Sequence, residues 1–217
     1  MIENIDAAVQ FLRRVHRELH PSPGLDPDLI PEDLPYGLAL IYRELGNLVE
    51  IAQSRDNEYR APFSAQDGLV PLSRLNRVDG LIEFAWENQG NWSARCAAGQ
   101  GDPPVLTNAG EGGGAPEFEV VCDSLNDFLI TLCLHEAVMS APVLHNFYTS
   151  SAADVFEVPL RALWLQGPYA IRGSRYDFFE IPGEDAIVMT YGDTWVGERS
   201  STISRILKPQ YRSDRLG

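Results

Sequence analysis

Apolar residues first recur at helical spacing at Ile5, Ala8, Val9, Leu12, Val15 and Leu19, with Asn4 or Asp6 available as an N-cap. Pro21, Pro23 and Gly24 end that helix, and residues 21–34, punctuated by Pro27 and Pro31, read as a structured loop with short turns. Pro35 suits the first turn of a second helix, whose stripe is Leu38, Ile41, Tyr42 and Leu45 and whose C-terminus suits Gly46 and Asn47. A polar stretch of mixed charge follows, from about Gln53 to Asp67.

The period changes after Val78. Leu81–Trp86 and Trp92–Cys96 are strand-like and are joined by the turn formers of residues 87–91. Two short strands, Pro104–Thr107 and Phe118–Cys122, flank a glycine-rich hairpin loop from Asn108 to Ala115. Ser124 to Asp127 resembles a capping box and opens a helix through about Met139, with Leu125, Phe128, Leu129, Leu132 and Cys133 on its apolar face. The last third reads as hairpins: Tyr169–Arg172 with Tyr176–Ile181 around Gly173 and Ser174, then Ala186–Tyr191 with Thr194–Gly197 around Gly192 and Asp193. A short helix near Ser201–Leu207 closes the pattern. Helices first, then a mainly antiparallel twisted sheet with a helix inserted between its strands and a short C-terminal helix, define an α+β fold.

Composition narrows the function. With 217 residues, 44% of them hydrophobic, the chain can bury a real core. A formal net charge of -14 disfavours direct nucleic-acid binding, which needs a basic patch. The longest clean apolar run, Phe128–Leu134, is far too short for a membrane span, and Met1 to Asn4 lacks the basic start of a signal peptide. Cys96, Cys122 and Cys133 form no CxxC pair, so reduced thiols in a cytoplasmic protein are expected.

The charge is concentrated. Asp79–Glu198 holds eighteen acids and four bases, whereas the other residues balance at thirteen of each. Between Arg95 and Arg161 there are nine acids and no base. Such a region either keeps the protein in solution as a solvated surface or steers a basic partner into place; the acids lack the spacing of a calcium loop.

Catalytic patterns are incomplete. His135-Glu136 begins like a zinc-protease HExxH helix, but Met139 stands where the second histidine belongs, so His135 reads as structural or solvent-facing and no metal or cofactor is expected. Gly110–Gly114 has no following lysine, no serine sits in a G-x-S-x-G elbow, and the cysteines occupy apolar contexts. Trp86 and Trp92 bracket the first hairpin loop and either pack on the core or leave one ring as an exposed anchor.

Leu34-Pro35 with Leu38–Tyr42 and Gly46-Asn47, the block from Asp79 to Trp92 with its Glu-Asn-Gln-Gly hairpin, and Ser124–Leu129 together resemble the SUKH superfamily over about residues 30–140. That superfamily includes a yeast cell-wall regulator and many bacterial immunity proteins. The resemblance implies one α+β domain over 1–217, with an N-terminal helical part (1–50) and a C-terminal strand extension (165–207). It also implies no catalytic residues and a role in neutralising a cognate toxin domain by covering its active surface. A basic, nuclease-like toxin fits the acidic charge. The expected contact residues are Trp86, Glu87, Trp92, Asp102, Glu111, Glu117, Glu119 and Asp123. A non-enzymatic regulatory scaffold for another cellular protein is the alternative, and an enzyme with a composite acidic site is a third reading.

Overall fold

A computed structural model describes residues 1–16, 24–52, 62–99, 101–109, 117–199 and 203–212. Helix α1 spans Ile5–Val15 and is capped as its sequence suggests, with the Asn4 side chain accepting from the Ala7 N–H at 2.9 Å. Leu19, Pro21 and Pro23 lie outside the described residues. Helix α2 (Tyr36–Ala52) starts directly after Pro35, whose carbonyl accepts from the Ala39 N–H.

That helix runs through Gly46 and Asn47 rather than ending there. Gly46 serves close approach: a Cβ on it would lie 2.5 Å from the Leu25 side chain. Asn47 donates its amide to the Gly24 carbonyl at 2.6 Å. Both residues dock the preceding loop against the middle of the helix, a role that looks in sequence like a C-terminal signal.

The first sheet is antiparallel, in the order β1 (Asp67–Leu69), β3 (Leu81–Glu87), β4 (Ser93–Ala97), β5 (Val105–Thr107) and β6 (Glu119–Cys122). Strand β2 (Asn76–Val78) shares with β1 one edge of β3. β1 and β2 are additional to the expected strands; at three residues each they are too short to show an alternating pattern. Asp79 and Gly80, at φ 53° and 78°, make the left-handed turn that joins β2 to β3.

Helix α3 (Leu125–Met139) begins as expected, with the Ser124 hydroxyl accepting from the Asp127 N–H at 3.0 Å. Its burial is not confined to one face: twelve of its fifteen residues are buried. Helices α1 and α2 and strands of both sheets surround it, and a helix apolar on all sides belongs in such a position.

The second sheet, also antiparallel, runs β7 (Val143–Phe147), β11 (Asp193–Glu198), β10 (Ala186–Tyr191), β9 (Arg175–Glu180) and β8 (Arg161–Pro168). The expected strand over Tyr169–Arg172 is instead the turn between β8 and β9. Strand β8 escapes the pattern because its register against β9 shifts twice and Gln166 adopts φ 56°, so its apolar residues do not alternate. The main core lies among the helices and the faces of the two sheets that meet them. A smaller cluster of Phe147, Val155, Phe156, Val188, Val196 and Ile203 covers the other face of the second sheet beneath α4 (Ala152–Val155). The short helix expected near Ser201–Leu207 is, among the described residues, a 3-10 turn at Ile203–Arg205, with a second at Pro209–Tyr211. With four α-helices and two antiparallel sheets among the described residues, the fold is α+β. Among the described residues, no helix is long and apolar enough to cross a membrane.

Two predictions follow from this packing. A Cβ on Gly197 of β11 would stand 2.5 Å from the Val138 carbonyl oxygen and 2.9 Å from the Ala141 Cβ, so Gly197→Ala must push α3 off the second sheet. It should lower stability by about 1–3 kcal/mol, read as a drop in urea midpoint with an unchanged m-value. The second concerns His16, whose Nδ1 accepts from Arg199 at 3.1 Å. Burial, reinforced by the Arg199 charge, pushes its pKa down from 6.5 to about 3. The unfolded chain therefore binds this proton more tightly, and the contribution of neutral His16 to stability is present above pH 6.5 and lost as pH falls toward 3. Urea titrations at pH 7 and pH 5 should show wild type losing more stability between them than His16→Asn.

Candidate functional site

The most unusual polar group of the interior is Glu136, a fully buried carboxylate near the C-terminal end of α3. Four main-chain N–H groups donate to it. Phe63 (3.0 Å) and Ala65 (3.3 Å) reach Oε2, and Gln66 (3.3 Å) and Asp67 (2.8 Å) reach Oε1. Such a ring of amides offsets the cost of burying the charge. It also holds Phe63 at φ 67°, a left-handed backbone that a bulky residue adopts only where its surroundings enforce it. The segment that reads in sequence as polar thus ends in a tightly gripped turn leading into β1.

Beside Glu136 lie Asp67 at the start of β1 and His135, the preceding residue of α3. The three are buried and offer ligand-type atoms within 4.8 Å of one another. His135 Nδ1 stands 3.3 Å from Asp67 Oδ2 and 3.5 Å from Glu136 Oε1, yet it makes a hydrogen bond to neither, and Asp67 Oδ1 is likewise buried without a partner. The Tyr169 hydroxyl donates to Asp67 Oδ2 at 2.6 Å. Burial pushes the Asp67 carboxyl up to about 6 against the opposing pull of His135 and Tyr169, with the Glu136 and Glu87 charges adding to the rise. Burial likewise raises the Tyr169 phenol well above its ordinary value, so it acts as a neutral donor. His135 is therefore an interior residue in a polar cluster. Sequence reasoning saw its pairing with Glu136 but not the third member, which comes from a segment 69 residues before Glu136.

The contact residues expected from sequence are dispersed. Glu87 and Trp92 are interior, so neither is a surface contact residue. The register of β3 against β4 shifts between Glu83 and Ala85, which turns Ala85 and Glu87 inward and Trp86 outward. Glu87 then accepts from Gln66 Nε2 and from the N–H groups of Gln89 and Asn91, tying its own hairpin turn. Trp92, 8% exposed, packs edge-on against Phe128 and Tyr169. Trp86 is half-buried and lies across Gly68 of β1, where a Cβ would strike its ring at 2.7 Å.

The remaining acids lie around β6 and the start of α3. Glu117, Glu119 and Asp123 are exposed, and Asp102 is exposed while accepting from the Ser124 hydroxyl (2.7 Å) and the Asn126 N–H (2.8 Å). Glu111 lies outside the described residues, as does the Gly110–Gly114 loop. Among the described residues, strand β6 is the last of its sheet, and Val120 on it is 45% exposed. A groove of about 580 Å³ runs beside it, walled on one side by Val120, Asp123 and Asp127 and on the other by Gln166, Arg172 and Arg175. Arg172 stands 3.8 Å from Glu119. All three cysteines are buried, and burial pushes the Cys96 thiol up to about 12, which suits core residues rather than nucleophiles.

Replacing Glu136 by Gln keeps its size but turns an NH2 donor toward two of the four converging N–H groups. The variant should lose on the order of 3 kcal/mol in urea unfolding, and hydrogen exchange at Phe63, Ala65, Gln66 and Asp67 should accelerate before that of the α3 core. Comparison with protein-family models, curated proteins and solved structures yields no match to this chain.

Proposed function

We propose that this protein is a non-enzymatic immunity-type binder that neutralises a cognate bacterial toxin domain, of basic and nuclease-like surface, by covering it. The observation that carries the reading is the exposed acidic border of the first sheet, where Glu117, Glu119 and Asp123 accompany an edge strand and Asp102 adjoins the start of α3. An edge strand offers unpaired main-chain groups to a partner, and its acids would attract a basic one while penalising an acidic one. Exposed Val120 gives that border an apolar contact point, a role in which it replaces the buried Trp92. The resemblance of residues 30–140 to SUKH immunity proteins supports the same reading. Arg172 and Arg175 across the groove add a basic wall, so the field there is patterned rather than uniformly negative.

The test is calorimetry and association kinetics with the toxin domain encoded beside the gene. Glu117→Gln, Glu119→Gln and Asp123→Asn combined should slow association about tenfold at low salt, with the deficit shrinking as salt rises. Because the three side chains are exposed, the stability of the protein should change by no more than about 0.5 kcal/mol per substitution. Tight binding that ignores both salt and these substitutions would move the contact surface elsewhere. Absence of binding, or of such a neighbour, would favour a regulatory scaffold.

A further inference from the structure

We propose that Asp67, His135 and Glu136 form a binding site for one divalent metal ion of the zinc class, which clamps β1 to α3. The three residues bring one imidazole nitrogen and two carboxylates together in the interior, within 4.8 Å of one another. Metal–ligand distances of about 2.0–2.1 Å in a tetrahedral site place neighbouring ligand atoms roughly 3.3–3.4 Å apart. His135 Nδ1 is 3.3 Å from Asp67 Oδ2 and 3.5 Å from Glu136 Oε1, close to that spacing and poorly aligned for direct hydrogen bonds.

The second observation is the unpartnered imidazole itself. His135 is only 7% exposed, and its Nδ1 has no hydrogen-bond partner, although it faces the two carboxylates; Asp67 Oδ1 is an orphan of the same kind. Buried polar atoms without partners are rare, and an ion held between His135 Nδ1 and the Asp67 Oδ2 and Glu136 Oε1 that face it would satisfy the nitrogen lone pair and offset the surplus negative charge. The supporting contacts also suit a metal site. The Tyr169 hydroxyl orients Asp67, and four main-chain N–H groups fix Glu136, the kind of outer partners that hold ligating carboxylates. Three protein ligands leave the remaining coordination position to water. A set of one nitrogen and two oxygens, without thiolate, suits Zn²⁺ or Mn²⁺ and disfavours soft Cu⁺.

The competing arrangement places a proton on His135 Nδ1, shared between the two carboxylates without any metal. The two differ in direct measurements on the intact protein. Protein purified through chelator and titrated with Zn²⁺ should take up one ion per chain, and its Tm should rise by roughly 5–10 °C at a hundredfold excess over Kd. X-ray absorption at the zinc edge should show nitrogen and oxygen at about 2.0–2.1 Å and no sulfur; Co²⁺ should give tetrahedral visible bands without thiolate charge transfer. Asp67→Asn and His135→Gln should each abolish uptake. Failure of wild type to bind stoichiometrically would overturn the proposal in favour of the shared proton. So would a sulfur-containing shell, or full binding by His135→Gln. If either variant does not fold, the absorption spectrum of the wild-type complex decides alone.

Discussion

Four main-chain N–H groups converging on the Glu136 carboxylate form the joint on which the first sheet depends. A buried carboxylate costs several kcal/mol unless it is fully hydrogen-bonded, so the ring of amides and the charge are each stable only in the presence of the other. The joint fixes the turn over residues 63–67 and thereby the start of β1. It extends further through Gln66, whose main chain donates to Glu136 and whose side chain donates to Glu87 in the first hairpin. Helix α3, the edge strand and the hairpin turn are thus held by one continuous polar network inside an apolar core. The same network sets Asp67 beside His135, which is what gives the interior its ligand-like geometry.

The acids of this chain divide by environment into groups with different work. Glu87, Glu136 and Glu198 are buried and satisfy the main chain, Glu198 accepting from the Ile203 N–H and meeting His145. Glu83 and Glu180 pair with Arg95 and Arg161 on the sheet surfaces. Only part of the acidic excess between Asp79 and Glu198 therefore stands free at the surface, and the border along β6 carries a good share of it. A partner would meet that border as a strand edge with charges set along it, with Arg172 and Arg175 giving it direction. Exposed charges act at long range and chiefly on the rate of encounter, whereas the buried ones bear on stability.

Much of the local architecture was legible. Asn4 and Ser124 cap their helices as their positions suggest, and the β3–β4 and β10–β11 hairpins lie where turn residues interrupt apolar runs. The misreadings share a cause, because each involves a residue that serves a distant neighbour. Gly46 resembles a helix end and is a docking notch for Leu25. Glu87 reads as a turn residue and a partner contact, but it ends β3 and the register shift in that strand turns it inward. Tyr169 resembles the start of a strand, and its hydroxyl is bound to Asp67 across the core.

The sequence by itself determined the α+β class, the caps, the principal helices and the sign of the charge. These depend on interactions a few residues apart, for which spacing along the chain is an adequate proxy for spacing in the molecule. Tertiary structure alone decided that the strands divide into two sheets around α3, that Glu87 and Trp92 turn inward, and that Asp67 meets His135 and Glu136. Those outcomes rest on long-range packing and on the conservation of hydrogen bonds in a medium without water. A buried donor or acceptor must find its partner wherever in the chain it lies, and no local pattern records where that is.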